Sequence, residues 1–191
     1  MICGFAEILK HSIIRDKKFF NWLEENSKLV LSKKTKELTY AIKKSCEIKI
    51  YFVSRDVHEK GLRMILNFGH TFAHAIEIKN NFSKKITHGE AVLSGMILET
   101  KLSELKKICT RNILERIKKI YLENHLSYTY KKFSNKNSIS NLLPFLKNDK
   151  KNNDSKINFI LLKNIGKTTL PNKNKISIDS LKKLSAAIAQ Y

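Results

Sequence analysis

A mainly α-helical fold with a small C-terminal β-hairpin is what this sequence predicts, and three observations carry the prediction. Only 6 Gly and 2 Pro occur in 191 residues, so few positions interrupt a helix. Between Thr35 and about Ser54 the apolar residues Leu38, Ile42, Cys46, Ile48 and Phe52 recur mostly at helical spacing. The texture then changes at Lys150: Ile157 to Leu162 is short, apolar and partly alternating, Gly166 follows, and Lys167 to Leu170 reads as an antiparallel return. With 42% hydrophobic residues the chain is globular in composition rather than disordered.

The elements follow in order. Residues 3–14 and 17–32 read as helices, the second rich in Phe19, Phe20, Trp22, Leu23, Leu29 and Val30, with Asp16 as its cap. The long helix from Thr35 ends near Asp56, and Gly61 marks a turn. A further helix is predicted from Gly61 to about Lys79. The loop from Asn80 to Lys85 precedes a helix from His88 to about Lys107, with Glu90 in its first turn, where the helix dipole favours an acid. Helices over 110–123 and 138–147 flank a polar connection at 131–138, and Asp179 is predicted to cap a closing helix to about Gln190. With neither an internal repeat nor a clear boundary, the whole chain, 1–191, reads as one domain able to bury roughly two-thirds of its unfolded surface.

Charge and cysteine content narrow the class. The formal charge of +20 invites a nucleic-acid reading, since clustered cations release counterions from phosphate backbones. The excess is almost all Lys, scattered among Asn and Ile, without the aromatic and Arg interleaving of a stacking platform, so nucleic acid is set aside as partner. The same field attracts small anions. Cys3, Cys46 and Cys109 are odd in number and widely spaced, which suggests neither a disulfide framework nor a zinc knuckle and fits a reducing cytoplasm. The opening residues do not read as a signal peptide, and no apolar run is long enough for a membrane span.

Against this background the stretch Gly61 to Glu77 stands out. On a helix, Arg63, Asn67, His70 and His74 step by four, three and four residues and line one face. In a chain with 37 basic residues, 32 of them Lys, residues 61–78 and 86–100 contain no Lys at all, which an ordinary solvated face would carry. Two imidazoles and a carboxylate are a common catalytic zinc set, with a fourth position left open. His70 and His88 are candidates, His70 and His74 are one turn apart, and the carboxylate is Glu7, Glu77 or Glu90; spacing alone does not decide. Taken singly, Lys10 and Lys49 read as solvated lysines and Glu59 as an ion-pair partner of Arg63.

These pieces together resemble a known family. Gly4-Phe5-Ala6-Glu7-Ile8-Leu9-Lys10-His11, then Lys49, Asp56, Glu59, Gly61 and Arg63, then Leu66 to Glu77, then His88-Gly89-Glu90-Ala91-Val92 with Gly95-Met96, resemble the C-terminal domain of 3-dehydroquinate synthase. The likeness continues into Asn148 to Lys151 and Phe159 to Gly166. It implies a helical metal-binding domain in which Glu7, His70 and His88 ligate Zn2+ or Co2+. It implies that His74 lies beside the substrate in proton transfer or phosphate contact, and that Glu59 lies close by. It further implies that Lys10, Lys49, Arg63, Asn67 and one of Lys150 or Lys151 hold the phosphate, carboxylate and hydroxyls of a phosphorylated heptulosonate. In that family the overall reaction is an NAD-dependent elimination of phosphate that yields 3-dehydroquinate.

Two departures qualify the likeness. Ala73 stands where the family usually has Gly, which adds a methyl near close-packed helices. Only six residues precede Glu7, and none of the glycines forms a Gly-rich phosphate loop after a strand, so no NAD site is expected within these residues. The expectation is therefore a split or truncated enzyme, with a separate N-terminal NAD-binding chain as partner, or else an inactive remnant or structural subunit; a homodimer stays open. A related sugar-phosphate cyclase is the nearest alternative, and a basic helical nucleic-acid binder the alternative of another class. The polyol dehydrogenases share a helical metal domain, but the Arg63 and Asn67 pair argues against them.

Overall fold

The computed structural model describes residues 1–83, 85–126, 139–146 and 156–190, and the chain is mainly helical. Helices α1 (Ile2–Arg15), α2 (Lys17–Leu31) and α3 (Thr35–Arg55) pack on one another. A 3-10 segment (Leu62–Asn67) leads to α4 (His70–Lys79), α5 (His88–Leu105), α6 (Arg111–Glu123) and the single turn α7 (Leu143–Leu146). Short strands β1 (Lys156–Asn158), β2 (Leu162–Asn164), β3 (Lys167–Thr168) and β4 (Lys175–Ser177) precede the closing helix α8 (Ile178–Ala189).

The core is built around α5. Every residue from Ala91 to Thr100 is buried, because α1, α4, α6, α8 and β2 all pack against this helix, and a helix apolar on all sides belongs in such a position. Helix α1 supplies Phe5, Leu9 and Ile13 to the same core, and α4 supplies Phe72 and Ile76. Helix α6 is the opposite case: one stripe of Ile113, Leu114, Ile117, Ile120 and Tyr121 is buried. Asp16 caps α2 as its sequence suggests, its side chain accepting from Phe19 N–H at 2.9 Å.

Four expectations need correction. The helix predicted from Gly61 to Lys79 is broken: residues 62–67 form a 3-10 segment, and Gly69 adopts φ 83 before α4 begins at His70. The break follows from packing, since a Cβ on Gly95 of α5 would lie 1.9 Å from the Gly69 carbonyl oxygen, so the two backbones meet there. Arg63 and Asn67 therefore do not share one continuous helical face with His70 and His74.

The apolar run from Ile157 to Leu162 is two strands rather than one. Its first part pairs antiparallel with β4, Ile157 opposite Ile176, while Leu162 pairs with Thr168 across the turn at Gly166. Phe159, Ile160 and Leu161 between them enter the core, and Leu161 N–H is taken by the Thr169 hydroxyl at 3.1 Å. Ser177, not Asp179, caps α8, with its hydroxyl accepting from Ser180 N–H. Of the helix expected over 138–147, residues 139–142 are turn and only α7, Leu143–Leu146, is helical; the polar connection at 131–138 and residues Lys150 and Lys151 lie outside the described residues.

Candidate metal centre and anion cleft

Three elements converge on Glu7. It lies in the second turn of α1; His70 opens α4, and His88 opens α5. Glu7, His70 and His88 each offer a ligand atom, and these atoms lie within 4.8 Å of one another. His70 Nε2 is 3.8 Å from Glu7 Oε1. Burial, with Lys10 nearby, pushes the His70 pKa down to about 4, so the ring is neutral at ordinary pH. Its Nδ1 lies 3.3 Å from the Phe68 carbonyl, which can only accept, so the proton belongs on Nδ1 and Nε2 keeps its lone pair facing the carboxylate.

His88 is oriented in the same way. Its Nδ1 is 2.9 Å from Glu77 Oε1, so Nδ1–H donates to that carboxylate and Nε2 is the nitrogen left for a ligand. Glu77 is thus a partner of His88. Glu90 is turned away from the centre by its own helix: with Thr87 it forms a capping box, accepting from Thr87 N–H at 2.8 Å. Two imidazole nitrogens and one carboxylate, held close to one another, form a donor set that suits a divalent cation of the zinc type.

The remaining contacts of Glu7 are basic. Lys10 Nζ reaches both Glu7 oxygens at 2.9 Å, and its side chain is only 3% exposed. Burial raises the Glu7 pKa, but the charge and hydrogen bonds of Lys10, with smaller help from His70 and His11, outweigh it and leave the group below its ordinary value. Burial lowers the Lys10 pKa more than Glu7 restores it. His11 is a site residue that sequence reading missed. Its Nδ1 meets Ser45 Oγ at 2.7 Å, its Nε2 is 3.8 Å from Glu7 Oε2, and burial with Lys10 pushes its pKa down to about 4.

Beside this centre an open cleft is lined by Glu7, Lys10, His11, Lys49, Glu59, Arg63, Leu66, Asn67 and His70. Asp56 organises its far wall, its carboxylate accepting from the N–H groups of Lys60 at 3.0 Å, Gly61 at 2.8 Å and Arg63 at 3.0 Å. Those bonds, that to Lys60 first, lower the Asp56 pKa. Glu59 holds φ 53, an uncommon conformation for a residue with a side chain, and accepts from Asn67 Nδ2 at 2.9 Å. Arg63 Nε stands 4.0 Å from Glu59, and its guanidinium donates to the Val57 carbonyl at 2.8 Å. Of the four stripe residues, Arg63, Asn67 and His70 meet in this cleft. His74 lines a neighbouring pocket with Thr71, Ala75, Ile78, Phe82, Phe145 and Leu146, its ring centroid 5.6 Å from that of His70.

The fold is shared with solved synthases that carry NAD+ and a divalent metal. A 2-epi-5-epi-valiolone synthase from Streptomyces hygroscopicus subsp. jinggangensis, solved with NAD+ and Zn2+ bound, superposes with a TM-score of 0.82 at 20% identity, over 99% of this chain and 51% of that one. A 2-deoxy-scyllo-inosose synthase complexed with carbaglucose-6-phosphate, NAD+ and Co2+ gives a TM-score of 0.76 at 21% identity, over 97% of this chain and 51% of that one.

Sequence narrows the class. The 3-dehydroquinate synthase of Pelagibacter ubique is 42% identical over 166 residues, 87% of this chain and 45% of that protein. That of Dictyoglomus thermophilum is 39% identical over 183 residues, 96% of this chain and 50% of that protein. Residues 4–152 match the family model for the 3-dehydroquinate synthase C-terminal domain, and the chain belongs to the 3-dehydroquinate synthase family. It spans about half the length of the curated relatives it matches.

Proposed function

We propose that this chain is the metal- and substrate-binding half of a 3-dehydroquinate synthase, converting 3-deoxy-D-arabino-heptulosonate 7-phosphate to 3-dehydroquinate and phosphate together with a nucleotide-binding half. The observation that carries the reading is the meeting of Glu7, His70 and His88 at the edge of a cleft containing Lys10, Lys49 and Arg63. Glu7, His70 and His88 would hold Zn2+ or Co2+, which would supply Lewis acidity toward a substrate hydroxyl, and NAD, bound mainly by the other half, would supply the redox chemistry.

The chain's own residues bind and orient the substrate. Arg63 presents a planar fork suited to phosphate or carboxylate, aimed by the Val57 carbonyl to which it donates and by Glu59, while Asp56 holds the Arg63 backbone N–H. Lys10 and Lys49 add positive charge to the same cleft, Asn67 offers an amide to hydroxyls, and one of Lys150 or Lys151 completes the cage by resemblance. His74, one turn along α4 from His70, is the candidate for moving a proton or contacting phosphate.

A test mixes this chain with a 3-dehydroquinate synthase nucleotide-binding domain, NAD and the heptulosonate phosphate. Phosphate release that requires both chains and is lost in His70→Ala supports the reading. No release despite proven association of the two chains contradicts the activity and leaves a remnant or structural subunit.

A further inference from the structure

The side chain that fixes the start of α4 comes from another helix. His70 is the first residue of α4, and Gly69 before it has no side chain with which to cap the free N–H groups of the first turn. Glu99 of α5 performs that task. Its Oε2 accepts from Gly69 N–H at 2.7 Å, and Thr71 and Phe72 in the same turn also act on the carboxyl. Four residues earlier on α5, Gly95 admits the Gly69 carbonyl, so α5 touches both the N–H and the C=O of one residue.

This arrangement is costly for packing alone. Glu99 is fully buried, and its Oε1 has no hydrogen-bond partner among the described residues. Burial raises its pKa to about 8 against the opposing pull of the α4 donors. Its neighbours Ile97, Leu98 and Leu102 are fully buried apolar residues, and a Met or Leu at position 99 would fill similar volume without that cost.

We propose that Glu99 is a positioning residue for the metal centre: its carboxyl oxygen, delivered from α5, caps the first turn of α4 and sets the orientation in which His70 presents Nε2 to Glu7. Helix α5 then carries one ligand, His88, and aims another. The inference rests on the metal reading above.

The test measures Zn2+ affinity by chelator competition and the visible spectrum of the Co2+-loaded chain. The variants are wild type, Glu99→Met, Glu99→Gln and, as a buried-polar control, Tyr121→Phe, which loses the hydrogen bond to the Leu93 carbonyl. Glu99→Met is expected to weaken Zn2+ binding roughly tenfold to a hundredfold and to alter the Co2+ spectrum. Glu99→Gln keeps an acceptor oxygen and is expected to retain both, as is Tyr121→Phe. Wild-type binding that is matched in affinity and spectrum by Glu99→Met overturns the positioning role alone. A wild-type chain that binds no metal overturns the metal reading and this role with it. If Glu99→Met fails to fold, Glu99→Gln decides: wild-type affinity and spectrum support the acceptor role, and loss of both while Tyr121→Phe keeps them overturns it.

Discussion

At the scale of single residues, burial sets the protonation that the centre needs. His70 and His11 both titrate at about 4 in the folded chain, against 6.5 for an unperturbed imidazole. Between those values these two groups bind more protons in the unfolded chain than in the folded one, so their contribution to stability rises with pH, opposed by the buried carboxyl of Glu99. The metal-free chain is expected to hold this contribution fully above about pH 6.5 and to lose it as pH falls toward 4. Melting temperature followed across that range in chelator checks the sign, and His11→Asn should flatten the slope; a melting temperature that rises on acidification contradicts it. Part of this arrangement was legible in the sequence. The absence of Lys around His70 and His88 marked the stretch, and the resemblance chose Glu7 where spacing left Glu77 and Glu90 open. His11 and Glu99 were missed. The available signal was a carboxylate at position 99 inside a Lys-free, largely apolar window, but which turn it would cap depends on helix packing that local periodicity does not encode.

At the scale of elements, the junction between α4 and α5 decides the geometry. The predicted helix over 61–79 had the right residues and the wrong continuity, because the break at Gly69 is imposed by a contact with Gly95, 26 positions further on. Gly95→Ala would set a methyl 1.9 Å from the Gly69 carbonyl oxygen, with backbone rather than a flexible side chain in the way. The expected cost is about 3 kcal/mol or more, or failure to fold. Gly4→Ala meets nothing within 4 Å and lies inside α1, so it should be neutral or stabilise by up to about 1 kcal/mol. Urea midpoints of the two variants check the pair, and an undestabilised Gly95→Ala would remove the reason given for the break. The C-terminal strands show the same limit: alternation located them, but their partners were fixed by Phe159 to Leu161 entering the core.

At the scale of the whole molecule, the +20 charge is carried mainly by lysines outside the core. Lys10 is the only buried lysine among the described residues, and it faces Glu7. Composition therefore pointed to the fold class and to anionic partners as an expectation, while the candidate site had to be read from where the lysines stop. No helix among the described residues is long and apolar enough to cross a membrane. The chain spans about half the length of the curated relatives it matches; under the proposed function, binding of the cation is a property of these residues alone and can be measured apart from turnover. The most direct test of the account is the zinc stoichiometry of the purified chain and of Glu7→Ala, His70→Ala and His88→Ala, each shown to be folded. About one zinc per wild-type chain, lost in every variant, is the predicted result. A wild-type chain without zinc after loading, or variants that keep the wild-type content, would contradict it.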